Sequence, residues 1–162
     1  MDEPLLDQLD DLRDDKFLNP VEARKKAMDY LARREHGRAE LLEKLTRFGF
    51  DENVADDAVA LLVEDNLQSD ERYVEAFIAS RINQGKGPVK IRAELRERGI
   101  AGATVDQGLA NADQDWYVSA SLVREKKFGI ELPRDYNEKA RQMRFLQSRG
   151  FDTDQIQSAV SA

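Results

Sequence analysis

The chain has 162 residues, 41% hydrophobic, 35% charged and only 7% aromatic, with no cysteine and a net charge of −7. These figures suit one thin, highly solvated domain or a string of smaller units, and they exclude a disulfide framework and a thiolate zinc site. No apolar run approaches the length of a membrane span, and the N-terminus is acidic where a secretory leader is basic and then apolar. A soluble cytoplasmic protein without membrane contact is therefore expected.

Strand signals are nearly absent, because no Val/Ile/Thr alternation persists and the helix formers Ala, Leu, Glu, Arg and Lys dominate. An all-α protein is predicted. Residues 1–18 combine Leu5, Leu6, Leu9 and Leu12 with a dense negative charge. They read as an acidic N-terminal tail, either a short amphipathic helix or partly disordered, and the charge favours disorder. Asn19-Pro20 with Glu22 marks a helix start, and a helix near 20–35 should turn Ala27, Tyr30 and Leu31 inward. After a break at Gly37, Leu41, Leu42, Leu45 and Phe48 define a second helix. Asp51 caps a third, carrying Val54, Ala58, Leu61 and Leu62.

The pattern then restarts. Ser69-Asp70 offers an N-cap, and Tyr73, Ala76 and Phe77 are spaced as one helix face. Gln84 to Gly87 interrupts that helix. Pro88 suits the first turn of the next, where its missing N–H is not needed, and Ile91 and Leu95 form its apolar stripe. Gly99 stands where a left-handed cap belongs, and a weak helix from about Thr104 to Ala112 follows, its propensity lowered by Gly108. A third round begins near Asp113 to Asp115 with Trp116, Tyr117 and Leu122, and has a longer linker from Phe128 to Pro133. Asp135 with Glu138 and Asp152 with Gln155 are two capping-box patterns for its last helices.

Gly49-Phe50, Gly99-Ile100 and Gly150-Phe151 lie about fifty residues apart. Leu45, Leu95 and Leu146 each stand four residues before the glycine, and Val59, Leu109 and Val160 each ten after it. Three tandem three-helix units follow, at 19–68, 69–112 and 113–162, in a continuous helical array. Charge follows the same period. Residues 23–47, 81–98 and 124–149 each carry +4, whereas 51–71 hold eight acids and no base. Units stacked in register would present one positive and one negative face.

Signals for catalysis are weak. Gly85-Lys86-Gly87 lacks the spacing, the Ser or Thr and the preceding strand of a phosphate loop. Asp56-Asp57 and Glu64-Asp65 are neighbours that diverge by about 100° on a helix, without the alternation of a calcium loop. His36 is the sole histidine, which supports neither a triad nor a zinc site. No enzyme, no cofactor and no metal are expected. The departures from the repeat carry more. At one lateral position of the second helices stand Leu42, Arg92 and Met143, and four residues on stand Thr46, Arg96 and Gln147, so the middle unit alone places arginine at both. With Arg81, Lys86 and Lys90 nearby, such a cluster suits carboxylates on a protein partner or phosphates on DNA.

Tyr30-Leu-Ala-Arg-Arg, Glu40-Leu-Leu-Glu-Lys-Leu-x-x-Phe-Gly-Phe50 and Asp70-Glu-Arg-Tyr-Val-Glu-Ala-Phe77 resemble the bacterial RecX regulatory proteins. So does Gly85-Lys-Gly-Pro-x-x-Ile91-x-x-Glu-Leu95-x-x-x-Gly-Ile100. The likeness runs from about residue 20 to 161 and is most specific in the middle unit, while Gly37 replaces the serine that many members carry before the second helix. The resemblance implies an elongated, curved array of three three-helix repeats. It also implies binding to the RecA recombinase in the groove of its nucleoprotein filament, and suppression of its ATPase, strand-exchange and co-protease activities; some members also bind DNA. Taken with the residues, it points to Arg81, Lys86, Lys90, Arg92 and Arg96 as the partner-binding set, with Lys25, Lys26, Arg33 and Arg34 as a second patch. The rival expectation is a nucleic-acid-binding module that competes for single-stranded DNA. A monomer is expected, since no heptad seam is evident.

Overall fold

The computed structural model describes residues 15–162, so the expectation for the tail lies, up to Asp14, outside the described residues. The described helices are α1 (Pro20–Arg33), α2 (Arg38–Phe48), α3 (Glu52–Glu64), α4 (Asp70–Asn83), α5 (Pro88–Glu97), α6 (Gly102–Ala112), α7 (Trp116–Phe128), α8 (Tyr136–Arg149) and α9 (Thr153–Val160). No strand occurs among the described residues. The chain is all-α and built of three tandem three-helix repeats, and it divides into two compact units, Met1–Tyr73 and Val74–Ala162.

The Leu-x-x-x-Gly-apolar signature has one structural meaning in all three repeats. The amides of Phe50, Ile100 and Phe151 donate to the carbonyls of Leu45, Leu95 and Leu146, at 3.1, 3.1 and 3.2 Å. The glycine between them takes a positive φ: 129° at Gly49, 77° at Gly99 and 94° at Gly150. This is a Schellman cap, in which the reversed chain brings the residue after the glycine back onto the last turn. The paired residues are both buried each time, the three leucines fully. A local hydrogen-bond motif thus closes each second helix and seeds each core.

In the first unit the Asn19 side chain accepts from the Val21 amide ahead of Pro20, and Asp51 accepts from Asn53 and Val54. Ala23 and Ala27 of α1 are fully buried against a core that includes Ala55, Ala58, Val59 and Leu62 of α3. Small residues on both helices let the backbones approach closely. Leu61 is exposed, because the buried stripe of α3 runs through 55, 58, 59 and 62. Phe17 belongs to this core. Its ring meets Phe50 edge-on at 5.4 Å and its carbonyl accepts from the Asp51 amide at 3.1 Å.

The second unit holds most of α4 and all of α5 to α9. The buried face of α4 runs through Tyr73, Val74, Phe77 and Ile78, not Ala76, which points outward. Gly108 of α6 is a packing device: a Cβ there would lie 2.3 Å from a methyl of Val74. The third repeat repeats the design of the first. Its core gathers Ala120 of α7, Leu146 of α8, Phe151, and Ile156, Ala159 and Val160 of α9. Asp152 and Gln155 form the full capping box at α9. At α8 only half of the pattern forms, because the Glu138 carboxylate goes to Arg141 and Gln142 instead.

Candidate partner-binding surface

Ile91 and Leu95 are fully buried and set the orientation of α5. At about 100° per residue, Arg92 and Arg96 then stand on one flank and Lys90 and Glu94 on the other. The cations grouped by sequence proximity are therefore parted by the helix into two sets with different fates.

On the Glu94 flank, Arg81 Nε donates to Glu94 Oε2 at 2.8 Å, and Lys86 Nζ lies 3.4 Å from Oε1. The three side chains are only 18–23% exposed. Arg81 also lies over the Phe77 ring, 4.1 Å from its centroid. Burial pushes the Glu94 carboxyl up, but the Arg81 hydrogen bond and the charges of Lys86 and Arg81 outweigh it and hold the group below its ordinary value. Lys90 reaches the Ser148 carbonyl at 3.5 Å. Arg81 and Lys86 thus share one carboxylate, whereas Lys90 has only this contact with a backbone carbonyl.

On the opposite flank Arg92 pairs with Asp106 of α6, both side chains largely exposed. Arg96 is exposed and forms no ion pair among the described residues. The equivalent positions elsewhere show what this flank is. Leu42, Thr46 and Phe50 line a concavity beside α2, and Met143, Gln147 and Phe151 line one of about 770 Å³ beside α8. Glu43 and Glu52 also line the first concavity and Lys139, Arg144 and Asp152 the second, so it is the two compared positions that are neutral in the outer repeats, and both carry guanidiniums in the middle one.

In the first repeat, Lys25 is exposed on the side of α1 opposite Ala23 and Ala27 and Arg33 is exposed at the helix's last turn, and neither forms an ion pair among the described residues. Lys26 lies over aromatic rings, 4.3 Å from the Phe48 centroid and 5.1 Å from that of Tyr30. Arg34 is a bidentate partner of Glu40, at 2.9 and 3.0 Å. That hydrogen bond raises its pKa, burial works against it, and the Glu40 charge adds to the rise. Of the nine expected cations, Lys25, Arg33, Arg92 and Arg96 are the ones best placed to meet a partner.

Sequence reasoning missed a buried neighbour of this chemistry. Arg124 is 2% exposed, and its guanidinium donates to the carbonyls of Gly129, Ile130 and Glu131, at 3.3, 3.1 and 3.1 Å. The only signal for it was the unusually long linker it holds. Among the described residues, no group of three His, Cys, Asp or Glu side chains is placed to hold a metal ion, and no helix is long and apolar enough to cross a membrane.

Comparison with known proteins matches the chain to three domains of one family: the RecX first three-helix domain over residues 23–62, the second over 69–109 and the third over 113–160. The chain is 44% identical over 136 residues to the regulatory protein RecX of Halorhodospira halophila, covering 84% of each chain. It is also 44% identical over 138 residues to that of Ectopseudomonas mendocina, covering 85% of this chain and 92% of the relative. Among solved structures, RecX from Lactobacillus salivarius matches with a TM-score of 0.74 at 21% identity, over 87% of this chain and 94% of that one. A second RecX crystal structure matches with a TM-score of 0.71 at 20% identity, over 86% and 70%. At that identity the structures speak for the fold alone.

Proposed function

The chain belongs to the RecX family of regulatory proteins, and on that premise we propose that it is a non-catalytic regulator that binds the RecA nucleoprotein filament and suppresses its ATPase, strand-exchange and co-protease activities. The observation that carries the site assignment is the pair Arg92 and Arg96, exposed on one flank of α5 at the positions where the other repeats have Leu42 and Thr46 or Met143 and Gln147. Guanidiniums so placed can form bidentate contacts with carboxylates of a protein surface. Lys25 and Arg33 supply a second contact on another repeat, and linked weak contacts raise affinity without any one of them being strong. Arg81, Lys86 and Lys90 serve this surface from behind by fixing α5, and Lys26 and Arg34 by ordering the end of α1.

The test is RecA ATPase inhibition by an Arg92→Glu, Arg96→Glu double variant with an unchanged helical circular dichroism spectrum. The expected outcome is loss of inhibition at concentrations where the parent protein is saturating. Full inhibition by the folded variant would remove these two residues from the mechanism.

A further inference from the structure

Residues 2–14 lie outside the described residues, and by sequence they carry six acids, one base and four leucines. They join the fold at Asp15 and Lys16, and the next residue, Phe17, packs on the first core. Beside that point a row of cations and rings crosses the first repeat. Lys16 Nζ lies over the Phe48 ring, 5.7 Å from its centroid. Lys26 Nζ lies 4.3 Å from the same centroid and 5.1 Å from that of Tyr30. Arg33 continues the row, because residues 26, 30 and 33 share one flank of α1. Lys16, Lys26 and Arg33 form no ion pair among the described residues. Asp29, three residues from one and four from the other of the α1 cations, pairs with neither.

The rings alone do not answer this charge. A ring face attracts an ammonium through its quadrupole but carries no net charge, so the row keeps its positive potential. Phe48 is still 44% exposed with both lysines over it. Such a row lacks carboxylates and an apolar cover. Residues 2–14 supply both: acids at 2, 3, 7, 10, 11 and 14 are interspersed with Leu5, Leu6, Leu9 and Leu12. At roughly 3.3 Å per residue that segment reaches up to about 43 Å from Asp15, whereas Lys26 to Arg33 is about 10 Å of helix. Exposed ion pairs are weak one by one, but a short tether holds the segment at high effective concentration, so several of them suffice.

We propose that residues 2–14 dock on this row of their own repeat, their carboxylates against Lys16, Lys26 and Arg33 and their leucines against the exposed part of Phe48. Docked there, the segment competes with the partner for Arg33. The competition rests on the function proposed above, in which Arg33 meets RecA; the contact itself does not.

The chain has no cysteine, so Pro4→Cys in the full-length protein carries a single nitroxide. In a dilute ¹⁵N-labelled sample, amide broadening should be strong at Lys26, Tyr30 and Phe48. Asn53 is the control, held near the same anchorage by the bond from the Asp51 amide to the Phe17 carbonyl, and should broaden far less. The broadening on the row should vanish in about 0.5 M salt, in Lys26→Glu, and in an Asp7→Asn, Asp10→Asn, Asp11→Asn variant. That triple variant should also inhibit RecA ATPase at a concentration lower than the parent's by about threefold or more. Broadening as strong at Asn53, or unchanged by salt and by both variants, would overturn the proposal. So would broadening in a mixture of nitroxide-bearing ¹⁴N protein with label-free ¹⁵N protein, which would give the contact to a second copy. Docking with an unchanged half-inhibitory concentration would overturn the competition. A parent protein that does not inhibit RecA would remove the functional reading, and the competition with it, while the nitroxide result still decides the contact.

Discussion

Gly87, in the turn before α5, donates its amide to the Arg149 carbonyl at 2.8 Å and lies against Gly150 so closely that a Cβ on it would stand 2.4 Å from the Gly150 carbonyl oxygen. A second bond runs from the Val89 amide to the Gly150 carbonyl at 2.9 Å. The start of the middle repeat's second helix is thereby fastened by backbone to the cap that ends α8. The Gly-Lys-Gly-Pro turn, which has the look of a phosphate loop, is a joint between repeats.

Gly150→Ala is expected to be strongly destabilising. Its φ of 94° is strained for any L side chain, and the new Cβ would lie 2.2 Å from that of Lys90. A loss of about 2–4 kcal/mol in urea unfolding should follow. Gly102→Ala is the control: nothing lies within 4 Å of a Cβ there, and alanine suits the first turn of α6, so stability should hold or rise by up to about 1 kcal/mol.

Glu94→Gln should cost about 1–2 kcal/mol at neutral pH by removing the charged acceptor shared by Arg81 and Lys86. Its pH dependence has a definite sign. A carboxyl held below its ordinary value in the fold stabilises at all pH above its unfolded pKa, and loses that contribution as pH falls through the folded one. Acid titration of the urea midpoint should therefore show a shallower fall below about pH 4.5 in the variant than in the parent protein.

His36 is buried. Its Nδ1 lies 3.0 Å from the Arg34 carbonyl and its Nε2 2.8 Å from Lys44 Nζ. A protonated lysine can only donate, so Nε2 accepts and Nδ1 carries the proton in a neutral ring. Burial first, and then the Arg34 and Lys44 charges, lower its pKa, against the opposing pull of the Arg34 carbonyl and of Glu40. Below about pH 6.5 the unfolded chain takes up a proton that the fold refuses, so stability should fall from there downward. His36→Gln should remove this part of the slope between pH 7.5 and 5.5, whatever it does to the midpoint at pH 7.5.

Arg124→Met keeps an unbranched apolar stem but leaves the 129–131 carbonyls without their donor. A loss of about 2–4 kcal/mol is expected, with faster amide exchange in α8. Arg124→Lys should rescue little, because one ammonium cannot reach carbonyls that a planar fork spans. Stability within about 0.5 kcal/mol of the parent for the Met variant would deny the guanidinium its structural role.

Much of this molecule was legible before folding because its governing signals are local. The Leu-x-x-x-Gly-apolar step specifies a Schellman cap within one turn of chain, and Asn19, Asp51, Asp115 and Asp152 satisfy helix amides two or three residues away. Periodicity erred at Ala76, which it placed on the buried face of α4, although Val74 and Ile78 hold that face. The choice was settled by α6, whose Gly108 packs on Val74.

The charged site divides along the same line. That the middle repeat alone carries arginine at both compared positions is a property of the chain as written, as is the fifty-residue period that makes the comparison possible. Which cations remain free was decided by folding. Arg81 meets Glu94 thirteen residues on, Lys90 meets Ser148 fifty-eight residues on, and Lys126, Lys127 and Arg149 converge on one cleft. Long side chains pair with whatever the approach of helices brings within reach, and that approach is set by closely packed glycines such as Gly87, Gly108 and Gly150, whose partners no local pattern names.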